Sequence, residues 1–178
     1  MKKKITITII CAVLSCVCLI GTTFAWLTAK TDPITNTFTV GDINITLTEG
    51  NALDLKMIPG KEITKDPKVT VKANSEACWL FVKIEKSTNF DTYMTFDVAD
   101  GWTVLSGQTG VYYREVGAVD ADTDFYVIKN NQVKVSEDVT KTELQAAASS
   151  APTLTFTAYA VQQEGVADAT TAWGHANP

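Results

Sequence analysis

Histidine, cysteine and basic charge are scarce in this sequence, and each scarcity removes a class of function. A single histidine, His175, stands near the end of the 178-residue chain, so a histidine triad or a multi-histidine zinc site has almost nothing to be built from. His-Glu-x-x-His, Gly-x-Ser-x-Gly and the Gly-rich phosphate loop are all missing. Acidic residues outnumber basic ones by 20 to 15, and an acidic chain repels nucleic acid and anionic membrane surfaces. Toward the C-terminus there is no second long apolar run and no Leu-Pro-x-Thr-Gly, so neither usual tether to membrane or wall is expected. The chain is not expected to be an enzyme. Hydrophobic residues make up 46% and charged residues 20%, which fits a packed domain and excludes disorder.

The start of the chain has the three-part form of an export signal. Lys2, Lys3 and Lys4 precede an uncharged, mostly apolar run from Ile5 to Ile20, and small residues at Thr23 and Ala25 close it. Cleavage is expected between Ala25 and Trp26, giving a signal peptide over 1–25. A lasting membrane anchor is the alternative, near the lower limit of spanning length. Lipidation at Cys16 is another, but it would leave the end of the apolar run on the wrong side of the cut. With the signal go three lysines and no acid, so 12 basic and 20 acidic residues remain, a net charge of −8. Cys11, Cys16 and Cys18 leave too, and only Cys78 stays. The exported domain therefore has no internal disulfide and must be held by core burial, for which about 150 residues suffice. Few cysteines in an exported chain is also the habit of many Gram-positive proteins.

The remainder reads as strands. Residues 26–36 form a polar leader containing Pro33, which lacks a donor N–H and would limit any strand pairing there. From residue 37 to 178 a mostly β domain is expected: a jelly-roll-like antiparallel β-sandwich with one or two short helices. Phe38 and Val40 alternate with threonines, and after Gly41 the apolar phase slips by one to Ile43, Ile45 and Leu47, so a bent strand is expected over 37–48. Residues 49–62 read as a loop, and Val69 and Val71 mark a strand with one wet face. Cys78 to Ile84 is apolar on both faces, the mark of a covered central strand. Shorter strands are expected over 94–98, 102–105, 111–116, 125–128 and 132–135, the last two joined by a tight turn at Asn130-Asn131. Thr140 to Glu143 matches a capping box, which predicts a helix through Ala148. Thr153 to Gln163 alternates most cleanly of all, and a second helix covers 167–173.

Three groups of side chains invite a functional reading. Asp120, Asp122 and Asp124 alternate in a loop, and three carboxylates at that spacing can converge on calcium. Phe125 and Asn131 stand where a calcium-binding EF-hand loop needs Gly and an acid, so a solvated acidic loop is the plainer reading. Lys61, Lys65, Lys68 and Lys72 are solubilising or edge-guarding charges, or they pair with the acidic surface of a neighbouring subunit. Cys78 lies at the start of an apolar strand and reads as a core cysteine.

Several segments resemble a known family. The junction Thr22-Thr23-Phe24-Ala25-Trp26-Leu27, followed by Asn36-Thr37-Phe38-Thr39-Val40-Gly41, is similar to the start of proteins exported through a SipW-type signal peptidase. Ile58-Pro59-Gly60 with Val69-x-Val71-x-Ala73-Asn74, and Ala158-Tyr159-Ala160-Val161-Gln162 with Ala172-Trp173, resemble segments of the TasA/camelysin family. Residues 87–135 contribute nothing to the likeness. The resemblance implies a jelly-roll-like sandwich and a place in the extracellular, biofilm matrix or on the cell surface of a Gram-positive bacterium. It implies the SipW-type peptidase as a partner in export, with membrane contact only through the uncleaved signal. It also implies self-association, or association with other matrix proteins, through a leader anchored by Trp26 and Leu27. Camelysin is described as a metalloprotease, but no matching zinc ligands accompany the resemblance. A monomeric, adhesin-like binding module displaying loops 49–62 and 117–124 is the other reading.

Overall fold

The computed structural model describes residues 41–50 and 56–176. The signal peptide, its cleavage site at Ala25 and Trp26, the leader with Leu27 and the first part of the expected bent strand lie outside the described residues.

The architecture follows from one strand. β4 (Cys78–Lys86) is apolar on both faces and so must be covered on both. It lies inside a four-stranded antiparallel sheet ordered β10 (Leu154–Gln162), β4, β7 (Val111–Val116), β6 (Thr103–Val104). In register, Val82 stands between Ala158 and Tyr112, and Phe81 between Tyr159 and Tyr113. One face of β4 sends Cys78, Leu80, Val82 and Ile84 into the main core. There they meet Val69 and Val71 of β3 (Lys68–Val71), with Val116 and Val127. β3 is the middle strand of a second antiparallel sheet, between β1 (Ile45–Thr48) and β8 (Thr123–Tyr126). These two sheets make the sandwich.

The other face of β4 presents Trp79 and Phe81 to a helix, α3 (Ala169–Ala176). Asp168 caps it by accepting from the Thr171 N–H at 2.7 Å, which satisfies one orphan donor of the first turn. Small residues, Ala169 and Ala172, let the helix sit close to the sheet. Trp173 then enters between Phe81 and Tyr159, with ring centroids 5.3 and 5.1 Å away. Burying a side chain such as Phe81, which is fully covered, contributes about 1.5–3 kcal/mol.

A third antiparallel sheet joins β2 (Glu62–Thr64), β9 (Gln132–Val135) and β5 (Met94–Thr95). α2 (Lys141–Ala147) packs against it through Leu144. The capping box forms as expected: the Thr140 N–H donates to Glu143 Oε2 at 2.8 Å, and the Glu143 N–H donates to Thr140 Oγ1 at 3.3 Å.

The mostly β antiparallel sandwich matches the sequence reading, with differences in detail. Three sheets form, not two. A short helix, α1 (Phe90–Tyr93), precedes β5 and was not anticipated. Asn130 and Asn131 both take left-handed φ values, 55° and 56°, as a tight turn demands. Yet β8 and β9 are not hairpin partners: β8 pairs with β3 and β9 with β2 and β5. The turn carries the chain from one sheet to another. β3 also lacks the expected wet face, because Thr70 is 6% exposed and is covered by a side chain of β8.

Candidate functional site

That covering side chain belongs to the aspartate cluster. Asp124 accepts from Thr70 Oγ1 at 2.6 Å and from Lys68 Nζ at 2.7 Å. Asp122 accepts from Lys72 Nζ at 2.9 Å and from the Ala73 N–H at 2.9 Å. The two sequence clusters therefore answer each other within one chain. Lys68 and Lys72 are paired with Asp124 and Asp122, and Lys65 is paired with Glu49. Both carboxyls are held below their usual range, each chiefly by the hydrogen bond from its lysine. Asp120 makes no such contact among the described residues. The three aspartates do not converge, and a cation there would have to displace two ammonium groups. Among the described residues, no three His, Cys, Asp or Glu side chains gather in a group that could hold a metal ion.

Cys78 faces the main core and is fully buried. Burial pushes its thiol up to about 11, so the thiolate needed of a nucleophile is suppressed.

The sandwich has two long sides, and they differ. On one, Val127 N–H donates to Pro67 O at 3.0 Å. In an antiparallel ladder, alternate residues address the same neighbour, so Tyr126 turns its own backbone outward. Its carbonyl accepts from Trp102 Nε1 at 2.9 Å. Trp102 precedes β6 of the opposite sheet, so this bond latches the two sheets together. Arg114, the single arginine of the chain, lies behind the latch. Its guanidinium is 4.1 Å from the Phe125 ring centroid and 5.5 Å from that of Trp102. It forms no ion pair among the described residues, and burial lowers its pKa. The two aromatic faces are the partners that remain for it.

The other side has no latch among the described residues. It is bordered by β1 and β10, which lie against each other without forming a ladder. Ser87 N–H donates to Thr153 O, and Gln163 N–H donates to Ala77 O. By the same alternation, the odd-numbered residues of β10 bond to β4. Leu154, Phe156, Ala158, Ala160 and Gln162 then direct N–H and C=O outward, along an edge nine residues long. On β1, the Lys72 N–H donates to Asn44 O at 2.8 Å, so Ile45 and Leu47 present theirs outward. A cavity lies at each end of this side. One, of about 290 Å3, is bordered by Met57, Lys65, Phe90 and Leu154; the other, of about 680 Å3, by Ile43, Glu76, Gln162 and Glu164.

The sequence reading found β10 but not its place at an edge, and it missed the latch. The only available signal for the latch was a solitary arginine in a chain that otherwise uses lysine.

Among the described residues no helix is long and apolar enough to cross a membrane. A family described as camelysin metallo-endopeptidase matches residues 1–90. No curated protein matches, and no solved structure matches. The family's description names a metal-dependent peptidase, which points toward an enzyme, against the sequence expectation. The donor set does not fit that metal. The whole chain offers one histidine, His175. Its one described thiol faces the core, and two carboxylates of its acidic cluster are engaged by lysine. Family membership rests on the match itself, which runs from the N-terminus through β4 to Phe90, half of the length, and by it the chain belongs to the camelysin metallo-endopeptidase family.

Proposed function

We propose that the chain is a structural subunit of the extracellular matrix or cell surface, exported through a SipW-type signal peptidase and assembled by strand addition. The leader freed by cleavage after Ala25 adds to the open side of a neighbouring copy. Its backbone supplies the hydrogen bonds, and Trp26 and Leu27 supply apolar anchors. The observation that supports this reading is the β10 edge. β10 is nine residues long, longer than the four-residue β1 that lies against it, and its outward-facing peptide units are a template for pairing. Isolated edges of that length are normally shortened, charged or covered. The opposite side of the same sandwich is closed by Trp102.

The test is negative-stain microscopy of protein beginning at Trp26, beside protein beginning at Thr37. Filaments from the first and none from the second are expected. Filaments of equal length from both would remove the leader from assembly. Monomers from both would favour the adhesin-like module instead.

A further inference from the structure

We propose that a cleft at the far end of β4 and β7 binds a neutral, hydroxyl-rich saccharide. The cleft measures about 800 Å3, and its formation follows from backbone geometry. The last rung between β4 and β7 is the Ile84 N–H donating to Gly110 O at 2.8 Å. Gly110 has φ +72°, and a Cβ there would collide with the Ile84 carbonyl oxygen, so the chain turns away at this point. β4 continues for two more residues. The Ser87 N–H donates to Thr153 O, so odd-numbered residues address β10, and Lys86 directs its N–H and C=O to the side that β7 has left.

Four polar side chains around that overhang have no partner among the described residues. Asp97, Thr88, Thr109 and Tyr112 are among the residues that line the cleft, and neither the carboxylate nor the three hydroxyls makes a hydrogen bond among the described residues. The cations of the cleft are neutralised: Lys86 Nζ donates to Asp91 at 2.8 Å, and Lys83 is paired with Glu85 at 2.9 Å. Asp97 is left as a surplus acceptor beside three hydroxyls that donate or accept. Such a set suits the vicinal hydroxyls of a sugar and disfavours an anion. Lys86 lies across the Phe96 ring at 5.0 Å and the Phe90 ring at 5.5 Å, so the wall is held in place before a ligand arrives. Tyr112, which is half-buried, adds apolar surface for the C–H face of a pyranose. An extended peptide would need a row of alternating backbone groups, and the overhang offers one residue's pair. The inference does not depend on strand addition.

Calorimetric titration of the purified full chain with chitohexaose, a wall-type glycan, and with dextran, an exopolysaccharide, tests it. Binding of at least one is expected, and which one binds identifies the source. Asp97→Ala should weaken that affinity roughly tenfold to a hundredfold, as loss of a charged hydrogen-bond acceptor implies. Tyr112→Phe should weaken it by less, and the remote Glu137→Ala should leave it unchanged. Unaltered thermal unfolding of Asp97→Ala would show that the loss is local, since Asp97 is exposed. No binding of either glycan overturns the proposal. So does equal affinity of wild type and Asp97→Ala, or binding of an alternating Val-Thr decapeptide in place of both glycans.

Discussion

Replacing Trp102 tests whether the closed side of the sandwich is held by the latch. Two substitutions separate its parts. Trp102→Phe keeps an aromatic ring near Arg114 but removes the Nε1–H that reaches Tyr126 O at 2.9 Å. A net hydrogen bond contributes about 0.5–1.5 kcal/mol. Tyr126 is 45% exposed, so water can take over its carbonyl, and the loss should fall at about 0.5–1 kcal/mol. Trp102→Ala also removes one of the two rings that flank the guanidinium, worth about 0.5–1 kcal/mol near a surface. It further loses the apolar contact of a partly buried indole, about 1–2 kcal/mol. The total should approach 3 kcal/mol. Urea unfolding with an unchanged m-value reads both numbers. A double-mutant cycle with Arg114→Met should return a coupling of about 1 kcal/mol. A loss below about 1 kcal/mol for Trp102→Ala, or no measurable loss for Trp102→Phe against the roughly 0.5–1 kcal/mol expected, would refute the latch.

Four other outcomes follow from the geometry. Gly110→Ala should cost about 2 kcal/mol or more, from a left-handed φ and the collision with the Ile84 carbonyl oxygen; the unfolding midpoint checks it. Thr140→Ala should cost about 1 kcal/mol through loss of the α2 cap, again read from urea unfolding. The pKa values of Asp122 and Asp124 are depressed in the folded chain, so their stabilisation is present above the unfolded carboxylate value of about 3.9 and is lost as pH falls through the folded value. Wild type and the D122N/D124N variant should therefore differ in denaturation midpoint at pH 6 and converge toward pH 2. Ala158→Pro removes only an outward-facing N–H from the edge strand, so the monomer should keep its far-UV spectrum while filament formation in electron micrographs is lost.

What could be read from the sequence was whatever lies within a few residues. The double-faced apolar run of β4, the Thr140–Glu143 box and the alternation of β10 each encode their own local structure, and each forms. The Asn130-Asn131 turn shows the limit of such reading. Its residues specify two left-handed φ values, and they say nothing about which sheet the chain enters next. α1 escaped notice because Asn89 makes no side-chain cap bond there, and the burial of Phe90 under Phe96 and Val133 is what positions it. The pairing of Lys68 with Asp124 and of Lys72 with Asp122 spans 56 and 50 residues. Each cluster taken alone offered a ligand or a neighbour as its partner, and only the β3–β8 register shows that each is the other's.

The difference between the two long sides bears on what kind of assembly strand addition would make. A subunit that could accept a strand at β8 as well as at β10 would branch or stack into sheets. With Trp102 occupying the outward carbonyl of Tyr126, and with β6 only two residues long, the closed side offers few groups to pair with. Addition of the leader at β10 would make a head-to-tail contact. Such a contact does not close on itself unless the rotation between subunits returns to its start, and it therefore propagates as a filament. On the strand-addition proposal the β10 edge would provide for growth, and the latch would confine it to one dimension. Trp102→Ala should accordingly change the form of the filaments, from single strands to laterally associated bundles in micrographs, without abolishing them. Single filaments of unchanged width from that variant would show that the closed side takes no part in limiting assembly.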